Sequence, residues 1–296
     1  MTTLTLAAAL TFGLALSVSA EVSPLVPQAE ALIRQTRYDD AIELLTRAIA
    51  ANPNDSRAYC DRAYARIGLR DFNDAQSDCH TAIQIDGNNA QAYCVLGNIN
   101  WITGHREDAA SDFDEALHLA PADPVMWYSR GLFYLRNDDA KAVEDFTQAL
   151  RLSPRYWDAY YNRGNAWFDE QNYAEAIQDY TAAIVLKPED GNIYHQRAFS
   201  LDKAGKLQDA IADYTKAIAL KPQSDVELYC RGYAYAEAHD YARAVQDFTG
   251  AIQLNPQSSG YYYQRSLAYA ALGDKAHADA DLKESVLLKS QAPPAQ

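Results

Sequence analysis

The stretch 160–168, YYNRGNAWF, places an arginine and a glycine inside a segment that is otherwise apolar and aromatic enough to form a helix. Glycine in a helix interior costs about 1 kcal/mol relative to alanine. The pair Arg163-Gly164 nevertheless recurs in related forms along the chain, which indicates a repeated architecture and not an isolated defect. The other copies are Arg62-Ala63, Arg130-Gly131, Arg197-Ala198, Arg231-Gly232 and Arg265-Ser266.

A period of 34 residues organises the chain, with one shorter step of 33 between Pro121 and Pro154. In each repeat, small residues occur on both sides of a position that holds a large side chain or a cysteine. We call such a fixed position within the repeat a slot. Small residues let two helix backbones approach closely, and a large residue fills the space between them. Gly164 occupies one of the small slots, so we expect it to be a helix contact. The residues that close successive repeats are Pro53, Gly87, Pro121, Pro154, Pro188, Pro222 and Pro256.

A repeat of this length that ends in proline resembles the tetratricopeptide repeat (TPR) family, from Val22 to about Leu288. The resemblance implies an all-α fold, a right-handed superhelical α-solenoid of about eight helix-turn-helix repeats, with helices A and B in each. Pro24 and Pro27 predict a first helix A that starts near Pro27. We expect a disordered tail over 289–296. The expected repeats are 22–55, 56–89, 90–123, 124–156, 157–190, 191–224, 225–258 and 259–288.

Helix boundaries have recognisable signals in several repeats. Asp190, Ser224 and Ser258 stand where helix A should begin, as does the dipeptide Asp123-Pro124. Glycine stands where helix A should turn into helix B, and the single missing residue of the fourth repeat falls in that same turn. The turn glycines are Gly104, Gly205 and Gly273.

Each recurring arginine is followed by an aspartate sixteen residues later, or fifteen in the repeat that lost a turn residue. We expect an ion pair between helices A and B of one repeat, which would orient the two helices and have no catalytic role. The alternative pairing, with the arginine of the following repeat, leaves Arg62, Asp78 and Asp281 without partners. The pairing within repeats leaves only Asp112. The expected structural pairs are Arg62–Asp78, Arg130–Asp145, Arg163–Asp179, Arg197–Asp213, Arg231–Asp247 and Arg265–Asp281.

The family resemblance also implies a concave wall built from the A helices. It would be formed by positions 2, 5, 9, 12 and 13, counted from the first residue of each repeat. Aromatic residues recur at these positions and predict a partner-binding groove. Its expected residues are Tyr64, Trp101, Tyr128, Tyr161, Phe168, His195, Phe199, Tyr229, Tyr233 and Tyr263. Ten further tyrosines occupy slots that predict core packing. They are Tyr59, Tyr93, Tyr134, Tyr160, Tyr180, Tyr194, Tyr214, Tyr235, Tyr262 and Tyr269.

These features predict a non-catalytic protein–protein interaction scaffold or adaptor of the cell envelope. The expected ligand is an extended neutral, apolar or basic peptide segment. A polysaccharide-binding TPR protein of an exopolysaccharide export or assembly machinery is the alternative, because aromatic rings also stack on sugars. The net charge of -14 argues against nucleic acid and anionic membranes as partners. The sequence contains no CxxC, HExxH, GxSxG or glycine-rich phosphate loop, so we expect no catalytic residue, cofactor or metal site.

The N-terminal stretch 1–20, MTTLTLAAALTFGLALSVSA, is typical of a secretory signal peptide with cleavage after Ala20. This predicts a periplasmic or secreted protein with no membrane insertion after cleavage. The stretch lacks the usual basic residue near Met1. An uncleaved anchor is the alternative, although the apolar run is short for a membrane span.

Four cysteines in an exported chain raise the possibility of a disulfide. Cys60 and Cys94 hold equivalent positions on successive A helices, whose axes should lie ~8 to 10 Å apart. A disulfide needs Cα atoms within about 7 Å. We therefore expect free thiols.

The last helix B carries Leu282, Val286 and Leu288 with no further helix predicted after it. An apolar end of this kind can form a contact between copies of the chain. The alternative is that it is simply solvated.

Overall fold

A computed structural model describes residues 23–291, and the expected signal peptide at 1–20 lies outside them. Residues 23–291 form sixteen α-helices and no strand. None of these helices combines the length and apolar character that a membrane span requires. The helices are α1 Leu25–Arg34, α2 Tyr38–Ala51, α3 Ser56–Gly68, α4 Phe72–Ile85, α5 Ala90–Thr103, α6 Arg106–Leu119, α7 Pro124–Tyr134, α8 Asp139–Leu152, α9 Trp157–Asp169, α10 Tyr173–Leu186, α11 Gly191–Lys203, α12 Leu207–Leu220, α13 Asp225–Glu237, α14 Tyr241–Leu254, α15 Ser259–Ala271 and α16 Lys275–Gln291.

The chain divides into two compact units, Met1–Asn162 and Arg163–Gln296, here called unit 1 and unit 2. Within each unit the odd-numbered helices are the A helices and the even-numbered ones the B helices. In unit 1, α3 packs on α4 and α4 packs on α5. In unit 2, α11 packs on α12 and α12 packs on α13. Each unit is therefore a run of stacked helix pairs, which is the α-solenoid arrangement that the repeat predicts.

The predicted start of the first helix is close to the observed one, whereas the last helix extends further than predicted. Helix α1 begins at Leu25, two residues before the expected start at Pro27. Proline is tolerated in the first helical turn, where its missing N–H has no intrahelical partner, and Ser23 Oγ accepts a 3.4 Å hydrogen bond from the Leu25 backbone N–H. Helix α16 continues to Gln291, so residues 289–291 are helical and do not belong to a tail.

The glycines at the small slot of helix A lie against aromatic rings of helix B. A Cβ on Gly131 would stand 2.7 Å from the Phe146 ring, and one on Gly164 would stand 2.8 Å from the Tyr180 ring. Real Cβ atoms do not approach so closely. Close packing of the two helices thus accounts for glycine in the middle of YYNRGNAWF, because any larger side chain would displace the ring.

The turn from helix A to helix B uses left-handed backbone in most repeats. Gly104, Gly205 and Gly273 have φ values of 89°, 74° and 81°. This conformation suits glycine and strains other residues. Four repeats nevertheless place a larger residue at the same slot, a feature that the sequence did not predict. These residues are Thr36, Arg70, Gln171 and His239.

All six predicted arginine–aspartate pairs form between helices A and B of one repeat. In Arg231, Nε donates to Asp247 Oδ2 at 2.8 Å and Nη2 donates to Oδ1 at 2.7 Å. The remaining nitrogen, Nη1, donates to Thr215 Oγ1 of the preceding helix B at 3.1 Å. The arginine therefore joins three helices, and its link to the preceding repeat was not predicted. This third contact to threonine also forms in Arg62–Thr46, Arg197–Thr181 and Arg265–Thr249.

Asp112 was expected to lack a partner because Leu96 replaces the arginine of its repeat. Asn100 of α5 instead donates to Asp112 Oδ2 at 2.7 Å. A neutral amide thus takes over the contact between helices A and B. Burial still raises the pKa of Asp112 to about 6, against the effect of the Asn100 hydrogen bond.

The predicted core tyrosines fall into two groups. Tyr180 and Tyr214 are buried, as expected, and the other eight are half-buried. Five of these eight pack against the core from its edge: Tyr59, Tyr93, Tyr134, Tyr235 and Tyr262. Several of these rings lie beside the repeated arginine. In α13 the Arg231 guanidinium stands 5.8 Å from the Tyr235 ring, and in α3 that of Arg62 stands 5.4 Å from Tyr59. The rings cover the arginine stems and add cation–π contacts to the ion pairs.

All four cysteines are free thiols. Cys60, Cys79 and Cys94 are buried, and Cys230 is half-buried. Burial raises the pKa of the Cys94 thiol to about 11, so this side chain is protonated at neutral pH and behaves as a small apolar residue.

Candidate functional site

The predicted groove residues of unit 1 are largely covered. Tyr128 is 3% exposed, so its assignment to an open groove was wrong. Its ring packs against Tyr156 and Phe146 with centroid distances of 4.8 and 5.7 Å, and Asn162 Nδ2 donates to its hydroxyl at 2.9 Å. Burial raises the pKa of Tyr128 well above its ordinary value. Tyr64, Trp101 and Tyr161 are half-buried.

Unit 2 presents a run of rings on its A helices that reaches solvent. Phe168 of α9 and Phe199 of α11 stack with their centroids 5.1 Å apart and their planes at 30°. Further along the chain, Tyr233, Tyr263 and Leu267 are 37%, 45% and 48% exposed. Leu267 was not predicted, because the sequence signal followed aromatic residues. We call Phe168, Phe199, Tyr229, Tyr233, Tyr263 and Leu267 the aromatic surface.

Two predicted groove residues of unit 2 are held by neighbouring helices. His195 Nδ1 lies 2.6 Å from Glu227 Oε2, and its ring meets the Tyr214 ring edge-on at 5.8 Å. Glu227 is buried, so this contact fixes the imidazole within the packing of α11, α12 and α13. Tyr229 is half-buried, and burial raises its pKa, while the neighbouring Gln264 acts in the opposite direction. Tyr229 also packs against Tyr261 and Phe248, with ring centroids 4.9 and 5.9 Å away, and stays partly accessible, whereas His195 is mainly a packing residue.

Carboxylates stand beside the exposed rings. The neighbouring Glu237 carboxylate raises the pKa of Tyr233. Burial raises the pKa of Asp202, the neighbouring Glu237 raises it further, and Lys203 acts in the opposite direction. The ammonium group of Lys203 also lies 5.2 Å from the Phe199 ring. The aromatic surface is thus apolar along its rings and mainly acidic at its edge.

A cleft of about 400 Å³ opens at one end of the aromatic surface. It lies between α13, the start of α14 and α15. Its volume falls in the range of ligand pockets, roughly 300 to 1,000 Å³. The residues that line it are Tyr233, Ala236, Glu237, His239, Tyr241, Gln264, Leu267 and Ala268.

Unit 1 contains a buried carboxylate that the sequence did not single out. Asp61 of α3 is 0% exposed, and within residues 23–291 neither of its carboxylate oxygens has a hydrogen-bond partner. Its nearest ionic contact is Arg57 Nε at 3.9 Å, while Arg57 also pairs with Glu30. Burial and the charge of Glu30 raise the pKa of Asp61 to about 8. Asp61 is therefore largely protonated at neutral pH.

Across residues 23–291, no group of three or more His, Cys, Asp and Glu side chains is arranged to hold a metal ion. The surface features described above are apolar rings with carboxylates beside them, which can bind a ligand by contact and by charge.

Family models decide the classification of the chain. A model described as Tetratricopeptide repeat matches residues 26–76, 60–124, 94–142 and 140–191. Two further models with the same description match 226–258, and 191–224 with 259–291. The chain belongs to the tetratricopeptide repeat family. These TPR matches cover almost all of the described helices in both units.

Curated relatives match only parts of this TPR protein. The mouse "RNA polymerase II-associated protein 3" is 34% identical over 88 residues, which are 30% of this chain and 13% of the mouse protein. The bovine "Protein SGT1 homolog" is 35% identical over 104 residues, which are 34% of this chain and 30% of the bovine protein. The chain thus matches less than a third of the length of either relative.

Solved TPR structures share the fold at low sequence identity. The solved chain of MamA from Desulfovibrio magneticus RS-1, which runs from residue 41 to its end, is 23% identical with a TM-score of 0.54. The match covers 56% of this chain and 95% of that solved chain. YrrB, described as "a TPR protein with an unusual peptide-binding site", is 20% identical with a TM-score of 0.51, covering 63% of this chain and 97% of YrrB. The APC/C hetero-tetramer Cut9-Hcn1 gives 16% identity and a TM-score of 0.59, with 90% of this chain and 53% of that chain covered.

Proposed function

We propose that this TPR protein is a non-catalytic interaction scaffold of the cell envelope that binds an extended segment of another protein along the aromatic surface of unit 2. The observation that carries the proposal is the exposure of Tyr233, Tyr263 and Leu267 on the A helices of successive repeats. Scattered exposed apolar residues are common, but here they recur on the A helices of successive repeats.

The spacing of this surface suits an extended ligand. Each repeat contributes a ring or a leucine from its A helix, and the stacked pair Phe168 and Phe199 extends the series to α9. Packed helices lie about 10 Å apart, which is close to three residues of extended chain. A bound segment would therefore place roughly every third side chain against a new repeat.

The chemistry of the segment follows from the charges nearby. Glu237 and Asp202 border the rings, and the chain carries a net charge of -14. An acidic segment would be repelled by this field, whereas a neutral, apolar or basic one would not. Buried rings would supply most of the binding free energy, and the carboxylates would select among partners.

Similar proteins support a binding role without identifying this chain's partner. The Drosophila "Hsc70-interacting protein 1" is 30% identical over 99 residues, and YrrB has a peptide-binding site on the same fold. A protein-binding role for this chain agrees with both names. Export to the periplasm or beyond rests on the signal-like stretch 1–20, and mass spectrometry of the mature protein should find an N-terminus at Glu21.

The proposal is tested by selecting short peptides from a random displayed library on the full chain and measuring their affinity by calorimetry. Tyr233→Ser and Phe199→Ser should each weaken the selected peptides at least about tenfold, since an anchoring ring contributes on the order of 2 kcal/mol. Val185→Ser is the matched control, because Val185 lies on the B helix α10 and is 76% exposed. Thermal unfolding should show that all three variants remain folded.

Equal affinity of the ring variants and the parent chain would contradict the proposal. A parallel glycan array separates the second candidate from the first. Binding to polysaccharide probes with no enrichment of peptides would favour the glycan-binding alternative, because aromatic faces also stack on sugar rings.

A further inference from the structure

The cleft between α13, α14 and α15 is lined by apolar, aromatic and polar side chains. Ala236, Leu267 and Ala268 provide apolar surface, and the Tyr233 ring forms one side. Glu237 also lines the cleft and is exposed to solvent. His239 Nδ1 and the Tyr241 hydroxyl, from two further lining residues, hydrogen-bond each other at 2.9 Å.

The polar groups of the cleft are unevenly used. The His239–Tyr241 contact satisfies one imidazole nitrogen and the phenol of Tyr241. Glu237 lies beside Tyr233, whose pKa it raises, and a carboxylate has room for about four hydrogen bonds. Lys203 acts on the neighbouring Asp202 and rests over the Phe199 ring. Among the residues that line the cleft, Glu237 is therefore the anionic acceptor.

A ligand group must match both the apolar wall and this acceptor. An acidic ligand group would be repelled by the negative charge of Glu237. A purely apolar group would remove water from the carboxylate without replacing its hydrogen bonds, which costs binding free energy. A long side chain with a methylene stem and a cationic head can cover Leu267 with the stem, place the head over the Tyr233 ring and donate to Glu237.

We propose that this cleft is a specificity pocket for a lysine or arginine side chain of the bound partner, with arginine preferred. Arginine has a planar head that can stack on Tyr233 while it donates two parallel hydrogen bonds to Glu237, and lysine cannot do both. The inference rests on the proposed function, because it assumes that the partner lies along the aromatic surface. It adds the chemical identity of one ligand side chain.

Four acetylated and amidated heptapeptides, Gly-Tyr-Leu-X-Leu-Tyr-Gly with X as arginine, lysine, leucine or glutamate, test the pocket by calorimetry on the full chain. The arginine peptide should bind most tightly and the glutamate peptide at least about tenfold more weakly. Glu237→Gln should reduce that ratio to below about threefold and leave the leucine peptide unchanged. Glu175→Gln, an exposed carboxylate at the start of α10, should preserve the ratio. Equal affinities for all four peptides would overturn the inference.

A second probe separates failure of the pocket from failure of the proposed function. N-acetyl-argininamide, titrated to millimolar concentration, should shift the NMR signals of the Tyr233 ring and the Leu267 methyl groups, and N-acetyl-leucinamide should not. Shifts with argininamide in the absence of peptide binding would support the cleft and contradict the proposed function. Equal affinity for all four residues at X, with no shift from argininamide, would contradict the assignment of the cleft to a cationic side chain. The proposed function would still stand.

Discussion

Arg231 of α13 donates two parallel hydrogen bonds, of 2.8 and 2.7 Å, to Asp247 of α14. Its third nitrogen donates a hydrogen bond to Thr215 of α12. The same geometry repeats along the chain, and the aspartates are buried. The contact fixes how helix B lies against helix A and how both lie against the preceding repeat. These positions in turn set where the rings on each A helix point.

Removing one member of such a pair should destabilise the chain. Arg231→Met leaves the Asp247 carboxylate buried without its cation, and we expect a loss of about 2 kcal/mol in the free energy of unfolding. Urea denaturation followed by circular dichroism measures it. Arg231→Met with Asp247→Leu should cost less than the sum of the two single changes. Arg243→Met, which breaks the exposed contact with Asp240, is the control and should leave the urea midpoint unchanged.

Gly164 should not accept a methyl group. Gly164→Ala gains about 1 kcal/mol of helix propensity, but its Cβ would press on the Tyr180 ring, and overpacking typically costs about 1 to 3 kcal/mol. We expect a net loss of about 1 kcal/mol in the free energy of unfolding by urea denaturation. Gly260→Ala in α15 is the matched control. A Cβ there has no neighbour closer than 3.9 Å, so this change should be neutral or stabilising. Stabilisation by Gly164→Ala would show that the helices are not in close contact.

Gln171 holds a left-handed conformation with φ of 63° at the slot that other repeats fill with glycine. Gln171→Gly should raise the free energy of unfolding by about 1 kcal/mol, because glycine adopts this conformation without strain. The reverse change, Gly205→Gln at φ of 74°, should lower it by a similar amount. Thermal denaturation of the two variants measures both effects. A loss of stability in Gln171→Gly would show that the glutamine side chain makes a contact that outweighs the strain.

Asp61 should make stability depend on pH. Its folded pKa of about 8 exceeds the unfolded value of 3.8, so the folded chain binds the proton more tightly. The associated stability is fully present below pH 4 and is lost as the pH rises toward 8. Between pH 5 and 8 the parent chain should lose on the order of 3 kcal/mol in its free energy of unfolding through Asp61. We expect this loss to be absent in Asp61→Asn. Urea titrations at several pH values measure the slope, with Asp39→Asn, an exposed carboxylate of α2, as the control. An unchanged slope in Asp61→Asn would refute the assignment.

The periodic parts of the fold follow from the sequence, and the non-periodic parts do not. The fixed spacing between Arg231 and Asp247 predicts their contact, because both residues keep their helical positions in every repeat that carries them. The third hydrogen bond of Arg231, to Thr215, was not predicted, because threonine occupies that position in only some repeats. Tyr128 was misplaced because its exposure depends on Tyr156 and Asn162, which lie outside the repeated pattern.

The candidate site was predictable in outline only. The positions on helix A identified Tyr233 and Tyr263, which the structure leaves exposed. Leu267 and the cleft were not found, because a cleft depends on how three helices leave space between their side chains. The same limit applies to Asp61, whose lack of hydrogen-bond partners can be recognised only once its neighbours are in place.

Site-specific photo-crosslinking tests the central claim most directly. p-Benzoylphenylalanine replaces Tyr233 in one full-length variant and Val185 in another, and each is irradiated with a peptide selected on the parent chain. The account predicts peptide adducts at position 233 and none at position 185. Adducts at position 185 with none at position 233 would place the ligand on the B-helix face and contradict recognition by the aromatic surface.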